Sequence, residues 1–272
     1  MDLGLKDKHA IVTGGSQGIG KAIARVLAAE GADVAIVARR KEPLEAAARE
    51  LSTETGRRVI ALPADVTSKE QVEAMVARAA DQLGGLHILV NSGSAPGGST
   101  NATGPIETVV DEELLNDFNV KYVGALRCAR AIIPHLKAQG WGRIVNVSGT
   151  NARTAGNLSG GARNASLVHL TKTLAVQIGR SGITVNCIHP GITRTERTPR
   201  LLAARAAELG VTPEEAERRA YAPDSPRGNA IGRMVDASEV AYVAAFLASD
   251  KAWAINGELV VATGGAGQSV YY

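Results

Sequence analysis

The residues best suited to chemistry come first in the chain: Thr13-Gly14-Gly15-Ser16-Gln17-Gly18-Ile19-Gly20. A short apolar run, His9-Ala10-Ile11-Val12, precedes them and reads as a strand. Lys21-Ala22-Ile23-Ala24-Arg25-Val26-Leu27-Ala28 follows, with apolar residues at helical spacing. A strand that turns on glycines into a helix aims backbone N–H groups and the positive helix end at one spot, which suits a pyrophosphate. Gly14 makes the tight turn, Gly18 lets phosphate approach the backbone, and Gly20 permits close packing of helix on strand. The backbone of Ser16, Gln17 and Ile19 completes the cradle. Glycines alone would signal only turns; the strand–turn–helix context points to a dinucleotide.

The next chemical position is the end of the second strand, Ala32–Ala38, which runs into Arg39-Arg40. In dinucleotide folds an acid here binds the free ribose 2′-hydroxyl, whereas Arg pairs with a 2′-phosphate. No acid stands here, so NADP(H) is expected over NAD(H). The plainer reading, two solvated arginines before a helix starting at Pro43, remains open for one of them. Asp65-Val66 follows a third strand at 58–62; Asp65 either caps the next helix locally or holds the adenine. Asn91-Ser92-Gly93-Ser94 leaves the carboxyl end of a fourth strand, 86–90, the edge at which doubly wound sheets bind ligands.

These groups need a scaffold, and the remaining patterning supplies it. Helices are expected at 43–55, at 68–83 with Ser68 and Gln71 as a capping box, and from about Asp111 to Gln139 in one long run. Strand 143–147, a loop to about Leu158, a helix to Gly179 and strand 183–188 follow. Ala95–Pro105 is rich in Gly, Ser, Thr and Asn and reads as a loop. A charged segment with helical periodicity, 193–232, lies where a substrate lid would sit; its alternating charges make mostly solvated faces. Helix 236–249, strand 258–261 and a glycine-rich tail ending in Tyr271-Tyr272 close the chain. The pattern predicts a single α/β domain over 1–272, a doubly wound parallel sheet flanked by helices.

Composition narrows the partners. With 272 residues, 45% of them hydrophobic, the chain can bury a sizeable core. A net charge of +3, evenly spread, does not argue for nucleic acid. Cys128 and Cys187 lie in apolar contexts without metal-ligand spacing, so buried thiols and no metal site are expected. No signal-peptide pattern and no apolar run of ~18 residues occurs, which predicts a cytoplasmic protein that does not span a membrane.

Taken together, these motifs resemble the short-chain dehydrogenase/reductase family along nearly the whole chain. The matching pieces are Thr13-Gly14-x3-Gly18-x-Gly20, Asp65-Val66, Asn91-Ser92-Gly93-Ser94, Asn119, Pro190-Gly191-Ile192-x2-Thr195, and the ending Gly232-Arg233-Met234 … Gly264-Gly265. The resemblance implies a seven-stranded parallel Rossmann sheet and a nicotinamide cofactor touching Pro190, Gly191, Ile192 and Thr195. It also implies a homotetramer or homodimer, paired through the helix of Asn119 and the helix that follows the family's catalytic tyrosine. Asn119 would hold a water in the proton path.

The family's proton-transfer pair, Tyr-x3-Lys, has no match. Counting back without a gap from Ile183-Thr184-Val185-Asn186, the tyrosine position falls on Gly160 and the lysine position on Asn164; no tyrosine occurs between Val123 and Ala220. The family serine falls on Gly149, one place after Ser148. Asn164 can still hydrogen-bond a ribose but cannot depress a neighbour's pKa by charge. Candidates left to substitute are the hydroxyls of Ser148, Thr150 and Ser159, the cations Arg153 and Arg163, and Tyr221 in the lid. Arg153 and Arg163 would bind an anionic substrate or polarise a carbonyl, although Arg163 reads more readily as a solvent or interface residue. Lys172, His169, Tyr122, His87 and His189 read as structural, the last two as satisfied histidines of core or rim.

The expected function is an NADP(H)-dependent oxidoreductase acting on a small carbonyl or alcohol with a non-standard proton donor. The alternatives are an NADP(H)-binding subunit with little or no turnover, and a non-redox enzyme on the same scaffold.

Overall fold

The computed structural model describes residues 1–94, 97–225 and 228–267. Ala95 and Pro96 of the expected loop, and the tail ending in Tyr271-Tyr272, lie outside the described residues. Seven parallel strands form the central sheet: β1 (His9–Thr13), β2 (Asp33–Ala38), β3 (Val59–Pro63), β4 (Ile88–Asn91), β5 (Gly142–Val147), β6 (Ile183–Pro190) and, last in the chain, β9 (Leu259–Ala262). Their order is β3-β2-β1-β4-β5-β6-β9, which reverses direction between β1 and β4. That reversal opens a crevice at the carboxyl ends of the strands.

The strands are continuous apolar runs because helices cover both faces of a parallel sheet. On one face α1 (Gly18–Ala29), α2 (Lys41–Thr55) and α9 (Ala237–Leu247) bury Ile23, Leu27, Leu44, Leu51, Val240 and Leu247 against Val12, Ile36, Val90 and Ile188. On the other, α3 (Lys69–Leu83), α5 (Gly124–Gln139) and α6 (Leu158–Ile178) pack Val72, Met75, Cys128, Ile132 and Ile178 on Ile11, Leu89, Ile144 and Val185. Each fully buried aliphatic side chain contributes about 1.5–3 kcal/mol relative to exposure. Arg143, a charge inside β5, is kept in this interior by Asp250 at 3.1 Å and by the faces of Trp141 and Trp253.

Two expectations change, and a third gains a detail. The long helix is divided: α4 (Asp111–Phe118) passes through a π-helical turn, Asn119–Val123, into α5. One extra residue in a turn leaves apolar spacing almost intact, so periodicity does not reveal it. The Ser68 hydroxyl does cap Gln71 N, but the Gln71 side chain bonds Asp65 N instead of closing a reciprocal box. The 193–232 segment contains α7 (Thr198–Leu209) and α8 (Pro213–Ala220). It is tied to the body by a short second sheet in which β7 (Thr193–Arg194) pairs with β8 (Val235–Asp236).

Candidate functional site

The glycine turn is built by sterics. Gly14 has φ +69°, and a Cβ there would lie 2.8 Å from the Ser92 carbonyl; its N–H donates to Val37 O at 2.8 Å. At Gly20 a Cβ would fall 2.3 Å from Gly14 O, so the first turn of α1 closes onto the end of β1 only without a side chain. Gly18 has φ +59°, and above it the nearest neighbour is the Thr195 methyl, 3.6 Å from a would-be Cβ. Nothing closer than that methyl stands beside the Gly18 Cα. Gln17 stands at the N-cap in extended backbone, and the Gly18 N–H donates to the Glu196 carboxylate at 2.8 Å. A carboxylate seated on this helix end marks it as an anion site of the kind a phosphate uses.

The other predicted cofactor residues line the same sheet edge. Arg39 and Arg40 are exposed just past β2. Asp65 turns its carboxylate to the N–H and hydroxyl of Thr67, the local role that sequence left open beside adenine binding. Val66 packs where a Cβ on Gly124 would sit, and its carbonyl accepts from Arg127. Asn91 donates to Asn146 Oδ1 at 2.9 Å, while its own Oδ1 has no partner among the described residues. Gly93 N donates to the Thr13 hydroxyl. Pro190 ends β6, Gly191 packs against Thr263, Ile192 is 55% exposed, and Thr195 N is held by the Thr198 hydroxyl. The glycine cradle and the unpartnered Asn91 oxygen fit a dinucleotide.

At the carboxyl ends of β5 and β6 the small residues are closely covered by amides. Gly160 is covered: a Cβ there would lie 2.6 Å from Asn151 Nδ2 and 2.8 Å from Asn157, which caps α6 by accepting from Gly160 N. Asn164 lies over Gly149, its Nδ2 2.9 Å from where a Cβ would project, and its Oδ1 is buried without a partner among the described residues. Ser148 is not poised for a substrate, since its hydroxyl donates to the Asn164 carbonyl at 2.8 Å. Ser159 is likewise committed, donating to Asp117 at 2.6 Å. Asn119 opens the π-helical turn; its carbonyl accepts from the Gly124 N–H and its side-chain oxygen from Arg127.

Two expectations about charged groups are overturned. Arg163, expected at solvent or an interface, is 3% exposed and lies beside Asp117. Burial pushes its pKa down and Asp117 opposes that shift. Burial would raise Asp117, but the hydrogen bonds from Ser159 and Ser99 outweigh it and hold the carboxyl below its ordinary value. His189, expected to be satisfied, is fully buried with neither ring nitrogen bonded among the described residues. Burial, then the cations Arg153 and Lys121, depress it to about 4, so the ring is neutral near pH 7. Tyr221 is buried in the lid, at 7% exposure. His87 is satisfied, accepting from His9 N, and both cysteines are free, buried thiols pushed up to about 12 by burial.

Sequence reasoning missed Lys121. It is buried in the π-helical turn with Nζ donating to Ser148 O at 3.0 Å, and burial together with Arg163 pushes it down to about 7. A signal existed: Lys121 shares a stripe with the buried Gly124, Ala125, Cys128 and Ile132, at the spacing of an inward face. Among the described residues no His/Cys/Asp/Glu group is arranged to hold a metal, and no helix is long and apolar enough to cross a membrane.

A parallel sheet in this order, with a glycine-turned anion site at its switch point, defines a dinucleotide-binding Rossmann protein. The model for short-chain dehydrogenases matches residues 8–206, and the chain belongs to the short-chain dehydrogenase/reductase family. It is 32% identical over 261 residues to the short-chain reductase protein NovJ of Streptomyces niveus, covering 96% of this chain and 94% of that one. A 4-formylbenzenesulfonate dehydrogenase of Comamonas testosteroni is 34% identical over 265 residues, covering 97% and 99%. The crystal structure of L-sorbose reductase from Gluconobacter frateurii, complexed with NADPH and L-sorbose, superposes with a TM-score of 0.91 at 30% identity, covering 99% and 100%.

Proposed function

We propose that this chain is an NADP(H)-dependent oxidoreductase of a small carbonyl or alcohol whose proton does not come from a tyrosine on α6. The observation that carries the reading is the anion-accepting end of α1 at the switch point, with Arg39 exposed where a 2′-phosphate would lie. NADPH bound in the reductase structure of high similarity supports the choice of cofactor. Gly14, Ser16, Gln17, Gly18, Ile19 and Gly20 would hold the pyrophosphate, Arg39 and Arg40 the 2′-phosphate, Asp65 and Val66 the adenine. Asn91, Gly93, Asn164, Pro190, Gly191, Ile192 and Thr195 would hold the nicotinamide half. The bound cofactor supplies or accepts the hydride; the residues of this chain hold the substrate carbon against it and exclude water. Positioning alone contributes several kcal/mol to such a transfer, whereas the absent acid/base forfeits ~10²–10⁴ in rate. Water or the substrate itself supplies the proton to the carbonyl oxygen. Asn119 holds the water on the path to solvent.

A second reading, an NADP(H)-binding subunit with little turnover, is favoured by Asn151 and Asn157 filling the space over Gly160. The groove of about 370 Å³ between α5 and α6, lined by Tyr122, Leu126, Ile133, His169 and Leu174, would then pair copies in a homodimer or homotetramer. NADPH fluorescence on titration with protein, followed by NADPH consumption against ketones, aldehydes and imines, separates the readings. Binding with turnover supports the oxidoreductase, binding without turnover supports the subunit, and no binding of NADPH or NADH removes both.

A further inference from the structure

The front of the lid is fastened to the body through two side chains, Arg194 and Glu196. Arg194, in β7, pairs with Glu217 of α8 and, at 3.2 Å, with Asp236, the N-cap of α9. The backbone pairing of β7 with β8 holds the same end. Glu196 makes the other fastening, accepting from the Gly18 N–H at 2.8 Å. It sits in a turn closed on itself: Thr198 N donates to Thr195 O at 3.0 Å, and Thr195 N to the Thr198 hydroxyl at 2.9 Å. That turn opens α7, so the Glu196 side chain is a direct link between α1 and the first helix of the lid.

α1 supplies no substitute for this link. Its N-cap, Gln17, makes no side-chain cap hydrogen bond, and its first turn contains no acid. The acceptor for the first amide of the helix comes instead from the lid. One N–H points at one acceptor, so a phosphate oxygen that takes the Gly18 amide takes it from Glu196. Two anions at that spot also repel each other. The fastening is one charge-assisted bond from an exposed residue, which a ligand of higher charge displaces.

We propose that Glu196 is a built-in competitor for the cofactor's phosphate, and that phosphate binding at Gly18 unfastens the turn 195–198 and the start of α7. Arg194 and the β7–β8 pair stay in place as the hinge. The lid thereby responds to the phosphate end of the nucleotide and not to its nicotinamide.

This inference rests on the reading that the glycine turn receives phosphate, and the probes keep it apart from the choice of cofactor. Limited digestion with trypsin follows cleavage after Arg197 and Arg200, both exposed, relative to cleavage after Lys137 at the end of α5. The protein alone, with NADPH and with inorganic pyrophosphate is compared at constant ionic strength. Each ligand should raise the relative rate about fivefold, since cleavage tracks the population of the opened lid. Glu196→Ala should be cut at the faster rate without ligand, respond less than twofold to either one, and bind pyrophosphate severalfold more tightly. A relative rate that both ligands leave unchanged or lower would overturn the latch, as would a Glu196→Ala lid cut no faster than the parent's. Release by NADPH alone would overturn phosphate as the trigger. Release by pyrophosphate alone leaves the latch standing and removes the cofactor reading.

Discussion

The Glu196 carboxylate accepts a hydrogen bond from the Gly18 N–H at 2.8 Å, joining points 178 residues apart. It ties the strand that leads into the lid to the helix end that would receive phosphate. Glu196→Gln keeps the shape and removes the charge. NADPH should bind severalfold more tightly to this variant, because a dianionic pyrophosphate no longer meets a carboxylate. The protein without cofactor should lose about 0.5–1 kcal/mol, the value of an anion at a helix N-terminus. Fluorescence titration and thermal melts measure the two effects; unchanged or weaker NADPH binding would remove Glu196 from the phosphate's path.

Restoring the family's pair does not restore its geometry. Gly160→Tyr with Asn164→Lys places a Cβ 2.6 Å from Asn151 Nδ2 and displaces the Asn157 cap. The double variant should be destabilised by about 1–3 kcal/mol by overpacking and show no gain in NADPH consumption. Adding Asn151→Ala and Asn157→Ala should recover part of the packing loss. Denaturation by urea, with turnover assays on each variant, tests the order of these effects.

Arg39 is exposed past β2, where a phosphate would be met in solvent. Arg39→Ser should weaken NADPH binding by about tenfold and leave NADH binding within twofold, since a charge-assisted bond is worth about 1.5–3 kcal/mol and is partly screened here. Equal loss for both nucleotides would assign Arg39 to the ribose or to the fold, not to the phosphate.

Acid stability should reflect two buried imidazoles. His87 and His189 are each depressed to about 4 in the folded chain, first by burial, then by His9 and Lys8 for His87 and by Arg153 and Lys121 for His189. The unfolded chain binds protons on these groups near 6.5, so between about pH 6.5 and 4 it holds more protons than the folded one. Stability is therefore intact above pH 6.5 and falls as pH drops through that window. Urea denaturation from pH 7 to 4 should show the fall, and His189→Asn should flatten it.

Lys121 works at higher pH with the same sign. Its folded pKa of about 7 lies below the ordinary lysine value, so stability is withheld at and below pH 7 and returns as pH rises towards 10.5. Lys121→Met should raise stability at pH 7 by about 2–4 kcal/mol, and the gain should shrink by pH 10. A variant equally destabilised at both pH values would show that the bond to Ser148 O outweighs the buried charge.

The parallel strands and the glycine turn were readable because each is dictated locally: an unbroken apolar run, or a position where only glycine fits. Arg39 and Asn91 could be placed because each stands at the carboxyl end of a legible strand, and Pro190 through the family resemblance. What sequence does not carry is the direction of a side chain on a crowded inner face. Arg163 looks like any solvated cation until α6 sets it inward, and Lys121, although it shares an apolar stripe, is aimed at Ser148 only by the π-helical turn. His189 lies in a strand, and nothing in its neighbours indicates that both ring nitrogens go unmatched. Glu196 finds Gly18 across the whole fold, a contact with no local trace.

Asn164 leaning over Gly149, and Asn151 with Asn157 crowding Gly160, form a set in which each small residue exists to admit a larger amide. A side chain added at either glycine meets an amide that must move first, so neither position changes independently of Asn151, Asn157 and Asn164.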